Sequence, residues 1–134
     1  MKITGYEFEE LINAAISLLP ERFRKKMENI AIVIEDLPSL QLLEEMKINS
    51  PYGLLGIYRG VPYPRRGIWY RNVLPDTIII FKQPIESRCK NKEEIKETVR
   101  KVVIHEIGHY FGLEEADLRR IEKEKDNYSH GSGK

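Results

Sequence analysis

At 134 residues, 41% hydrophobic and 32% charged, the chain is the size of one soluble globular domain and can bury a core without disulfide or metal staples. A formal net charge of +1 gives no global electrostatic case for nucleic acid or a membrane surface. The single cysteine, Cys89, excludes an internal disulfide and a cysteine-rich zinc site, and it fits a reducing cytosol.

The opening stretch, "MKITGYEFEELINAAISLLP", places acidic Glu7, Glu9 and Glu10 ahead of a short apolar run, where a secretion signal would be basic. No apolar stretch approaches the ~20 residues that span a bilayer, so the expected location is cytoplasmic, with no membrane partner. Phe8, Leu11, Ile12, Ala15, Leu18 and Leu19 recur at helical spacing, with Thr4 as N-cap and Pro20 near the end. "NIAIVIEDLPS" reads as a short buried strand closed by Pro38, and "SLQLLEEMKIN" as one or two helical turns. "PYGLLGIYRGVPYP" mixes an apolar run with glycines and prolines, the pattern of a short or edge strand followed by a turn. "RRGIWYRNVLPD" reads as loop or hairpin, and "TIIIFKQP" is the clearest strand.

After Pro84 the stretch "IESRCKNKEEIKETVRKVVIHEIGHYFG" is expected to become one long helix, with Asn91 and Glu94 giving a capping-box-like start and Gly112 the stop. "EADLRRIEKEK" follows as a final amphipathic helix. Residues 1–125 form a single domain on this reading, and 126–134 a disordered tail. The sum is a compact α+β domain.

The stretch "VVIHEIGHYFGL" holds two of the three histidines, His105 and His109, four residues apart with Glu106 between them. Residues at that spacing share one helix face, so both imidazoles can converge on one zinc ion. Glu106 is then placed to act as general base toward the water and as proton donor to a leaving amine. At ~100° per residue, with His105 at zero, His109 falls near 40° and Val102 near 60°. Ile95, Val99, Tyr110, Val103 and Ile107 continue the arc to roughly 200°, with Glu106 inside it near 100°. An unpartnered carboxylate in that arc would cost on the order of several kcal/mol, and a metal-bound water with the histidines would supply its partner. The alternative is a pair of ordinary helix histidines beside a salt-bridged glutamate. Gly112 can turn the chain back, so Glu114, Glu115 and Asp117 are third-ligand candidates, each also readable as a solvated charge opening the last helix.

The residues "HEIGHYFGLEEADL" resemble the zincin-like minimal metallopeptidases, a family of small bacterial proteins. The resemblance extends across "LPERF", "NIAIVIEDLPS", "LLGIYRGVP", "RNVLPDTIIIFKQPIESRC" and "EEIKETVRKVVIHEIGHYFGL", nearly the whole chain from Tyr6 to Ile121. It implies a minimal zincin-like fold: a small mixed sheet packed against the active-site helix, with N- and C-terminal helices and an edge strand above the site. The family motif is similar to His-Glu-x-x-His-x-x-Gly-x-x-(His or Asp), whose last position falls on Glu115. The resemblance therefore nominates Glu115 as third ligand, with Asp117 in reserve because glutamate here replaces aspartate. No methionine follows the motif, so the metzincin Met-turn is absent.

"GLLGIYRGVP" is where the resemblance places a substrate-facing strand, making Leu55, Gly56, Ile57 and Tyr58 candidates to pair with a peptide or protein substrate. The plain alternative is a structural hairpin. Tyr58 and Tyr70 are candidate hydrogen-bond donors to an oxyanion, and Cys89 a remote candidate for the metal. Arg59, Arg65, Arg66 and Arg71, interleaved with aromatics, have a composition compatible with single-stranded RNA, or with a solvated loop. A zinc-dependent peptidase is the expected function. The runners-up are a metal-dependent ribonuclease using the 59–71 loop and a zinc-stabilised peptide-binding module with little turnover. A distantly similar His-x-x-x-His-x-x-Gly pattern occurs in bacterial ribosomal-RNA maturation factors, but those lack the glutamate. Neither the oligomeric state nor the particular substrate is written in the sequence, and His130 lies in the expected tail.

Overall fold

Thr4 starts the first helix by reciprocal capping. In the computed structural model, which describes residues 1–60 and 76–111 (the side chains of Arg22, Lys26 and residues 109–111 excepted), its hydroxyl accepts the Glu7 N–H at 3.0 Å. The Glu7 carboxylate in turn accepts the Thr4 N–H at 3.1 Å. Helix α1 runs Gly5–Ser17 and buries Phe8, Ile12 and Ala15. Helix α2 (Glu21–Lys26) and a 3-10 turn (Met27–Asn29) lead into strand β1 (Ile30–Glu35). Ser39 caps α3 (Leu40–Met46), accepting the Leu42 N–H at 3.1 Å. Strands β2 (Gly56–Arg59) and β3 (Asp76–Phe81) precede helices α4 (Lys82–Arg88) and α5 (Lys92–Phe111).

The sheet has the order β1-β3-β2, with β1 parallel and β2 antiparallel to β3. It is therefore mixed, and β3 is its middle strand. Side-chain alternation along β3 sends Ile78 and Ile80 into one core with Phe8 and Ile12 of α1 and Ile95, Val99, Val103 and Ile107 of α5. Ile79 and Phe81 point the other way, onto Leu42 of α3 and Leu54. Both faces of β3 are covered, which is why "TIIIF" reads as an unbroken apolar run rather than an alternating one. The result is the expected α+β domain with a small mixed sheet against the long helix.

One expectation is corrected. The stretch after Pro84 is two helices, not one: α4 begins before the proline, at Lys82, and Cys89 breaks the path in extended conformation. Pro84 occupies the first turn of α4, where its missing N–H has no intrahelical partner to lose. Asn91 then starts α5 afresh, its side chain accepting the Glu94 N–H at 2.9 Å while Glu94 accepts the Lys90 N–H at 2.7 Å.

Two ionic contacts hold the long helix and its neighbour in place. Lys92 at the start of α5 reaches Glu7 of α1 at 2.6 Å, holding the Glu7 carboxyl below the ordinary range and the Lys92 ammonium above its own. Buried Glu86 of α4 meets Lys82 at 2.9 Å and accepts the Ile3 N–H at 2.7 Å, fastening the N-terminal segment to α4. Among the described residues, no helix is long and apolar enough to cross a membrane. The 61–75 segment, the expected final helix and the expected 126–134 tail with His130 lie outside the described residues.

Candidate metal centre

Helix α5 turns Ile95, Val99, Val103 and Ile107 wholly inward, each at 0% exposure. Glu106 lies on the same arc and is 9% exposed, so the sequence places a carboxylate at the border of a packed apolar face. Its Oε1 accepts the main-chain N–H of Tyr58 on β2 at 2.5 Å. That is a short, charge-assisted bond, and it supplies a partner that burial demands. The expectation that metal-bound water and histidines would partner Glu106 omitted this backbone donor. No side-chain pattern encodes it; only the register of β2 over α5 does.

His105 is half-buried one position earlier. With Thr98, Lys101, Val102 and Glu106 from α5 and Leu55 and Gly56 from the start of β2, it lines an open depression of about 300 Å³. Leu55 and Gly56, two of the candidate substrate-facing residues, thus meet His105 and Glu106. The side chains of the other two point elsewhere. Ile57 packs on the opposite face with Leu42, Leu54 and Phe81. The Tyr58 hydroxyl is buried beside Asp76 and Gly60, not in the depression, so Tyr58 meets Glu106 through its main chain. Arg59 ends β2 exposed. Cys89 is buried against Thr98, Sγ to Oγ1 3.5 Å, some two helical turns of α5 before His105, and does not join the site.

The closeness of helix and strand depends on Gly56. A Cβ there would stand 2.6 Å from Val102 Cγ1 and 3.1 Å from the Ile79 carbonyl oxygen. Gly56→Ala should therefore lower unfolding free energy by about 1–3 kcal/mol, the cost of overpacking. Val102→Ala removes the nearer obstacle, so the double variant should lose less than the two single losses summed. Urea denaturation of all four proteins checks this. Strict additivity would show that the two side chains do not compete for the gap.

The α5 backbone continues through His109, one turn beyond His105, so the two positions share a helix face. The His109 side chain, Gly112, Glu115 and Asp117 lie outside the described residues, as do Tyr70, Arg65, Arg66 and Arg71. Among the described residues no group of three or more His, Cys, Asp and Glu side chains gathers. The described half of the centre does fit a hydrolytic metal. It offers an imidazole on the wall of an open depression, with a buried carboxylate beside it that is anchored rather than loose.

Comparison with known proteins agrees in kind. The family model described as zincin-like metallopeptidase matches residues 27–125. Among solved structures, a conserved hypothetical protein from Thermus thermophilus is similar over 81% of this chain and 94% of that one, with TM-score 0.51 and 20% identity. At that identity the likeness is one of fold. No curated protein matches the sequence.

Proposed function

The chain belongs to the zincin-like metallopeptidase family, and from that membership we propose that it is a zinc-dependent peptidase hydrolysing peptide bonds in extended segments of a peptide or protein. The observation that carries the reading is Glu106: a buried carboxylate, held by the β2 main chain, adjacent to His105 at the open depression. His105 and His109 would hold the ion, with Glu115 as third ligand and Asp117 in reserve. When bound, zinc polarises the scissile carbonyl and makes a water nucleophilic at neutral pH. Glu106 takes the proton of the attacking water on its carboxylate and passes it to the leaving amine. Leu55 and Gly56 line the approach, and the edge of β2 that is outer among the described residues would offer main-chain groups to an extended substrate.

Removing the metal with a chelator should abolish hydrolysis of unfolded casein, and adding back about one zinc per chain should restore it. Hydrolysis that survives chelation would sink the reading. The ribonuclease and binding-module alternatives gain no observation. Of the arginines invoked for RNA only Arg59 is described, and it lies exposed at the end of β2 rather than in the depression.

A further inference from the structure

The bond between Glu106 and Tyr58 has a consequence for how a peptide enters. In the antiparallel β2–β3 pair the Phe81 N–H bonds to the Leu55 carbonyl at 3.0 Å, so the bonded phase falls on Leu55, Ile57 and Arg59. Gly56 and Tyr58 are in the other phase, with their main-chain groups directed away from β3. Among the described residues β2 is an outer strand, and this is the edge a peptide strand would pair with. The Tyr58 N–H on that edge is already taken, at 2.5 Å, by the Glu106 carboxylate.

We propose that Glu106 and the substrate main chain compete for the Tyr58 N–H, so that in the peptide-free protein the base is latched to β2 and an entering peptide carbonyl releases it. The inference rests on the peptidase reading and adds how its base is delivered. The latch gives a carboxylate buried at the edge of an apolar face a main-chain donor. It also engages a main-chain donor on the edge of β2 that is outer among the described residues while no substrate is present. The exchange is balanced in kind: one carbonyl oxygen replaces one carboxylate oxygen on the same N–H, and the freed carboxylate turns toward His105 within the depression that both residues line. Substrate binding would then assemble the reactive arrangement, an induced fit acting through the Tyr58–Glu106 hydrogen bond.

Two measurements on the full chain, before and after chelation, test this. The first is hydrogen exchange at the Tyr58 amide in the wild type, Glu106→Gln and Glu106→Ala. Exchange should be slowest in the wild type, faster in Glu106→Gln, which keeps an acceptor but loses the charge, and fastest in Glu106→Ala. Equal rates in all three overturn the latch. The second is titration with the blocked pentapeptide acetyl-Ala-Val-Ala-Val-Ala-amide, using chelated protein so that no turnover intervenes. Glu106→Ala should bind it about tenfold more tightly than wild type, because the competitor is gone. Equal or weaker affinity, or binding to neither protein, overturns the competition. A protein without bound zinc or hydrolysis would sink the peptidase reading while leaving the exchange pattern intact, so the two failures are distinguishable.

Discussion

Glu106→Gln should cut peptide hydrolysis by roughly 10²–10⁴-fold while zinc stays near one per chain. The substitution is close to isosteric, and the glutamine carbonyl can still accept the Tyr58 N–H that Glu106 Oε1 accepts at 2.5 Å. Packing of α5 against β2 should therefore survive, and with it the placement of His105, a proposed zinc ligand. What is lost is basicity. An amide cannot take a proton from water at neutral pH, whereas a carboxylate beside the metal can. Zinc content by elemental analysis, thermal unfolding and casein hydrolysis, measured on one preparation, separate the two effects. Hydrolysis at the wild-type rate would remove Glu106 from the mechanism, and loss of zinc would recast it as a ligand.

The sequence was most informative where one physical requirement dominated. Buried on both faces, β3 had to be apolar throughout, and "TIIIF" is. Thr4 and Ser39 are short polar side chains immediately before apolar periodic runs, and each caps its helix. Wheel positions put Glu106 inside the arc of Ile95, Val99, Val103 and Ile107, and burial follows that arc. Legibility failed where the signal was equivocal. Pro84 reads as a boundary, but the first turn of a helix accepts proline as readily as a loop does, so the sequence pattern does not separate α4 from its successor. It failed again where the partner is main chain. The Tyr58 N–H carries no residue-type signature, and neither does the phase of β2 that aims it at Glu106. The close approach at Gly56 is of the same sort: in the sequence it is one more glycine of a turn-rich strand, while in the structure it admits Val102.

Third-ligand variants should separate by zinc affinity rather than by fold. His109→Ala and Glu115→Gln should each weaken zinc binding by more than about 100-fold, since loss of a mere outer-sphere partner already costs 10–100-fold. Asp117→Asn should leave affinity near that of the wild type. The reasoning for His109 is helical: α5 runs unbroken from His105 through His109, so the two positions stand one turn apart on one face. For Glu115 it is the family spacing, ten residues after the first histidine and three after Gly112. Glutamate has one methylene more than the aspartate usual at that position, and the added reach must be absorbed by the backbone beyond Gly112. Asp117 has the usual side-chain length but lies two residues too late. Competition against a chromophoric chelator reads all three affinities at one pH, and circular dichroism of each variant confirms that α5 persists. If Asp117→Asn loses zinc and Glu115→Gln retains it, the ligand is Asp117 and the chain folds back two residues later than the motif implies. If neither loses zinc, the third donor is not from this segment, and the expected zincin ligand set does not hold for this chain.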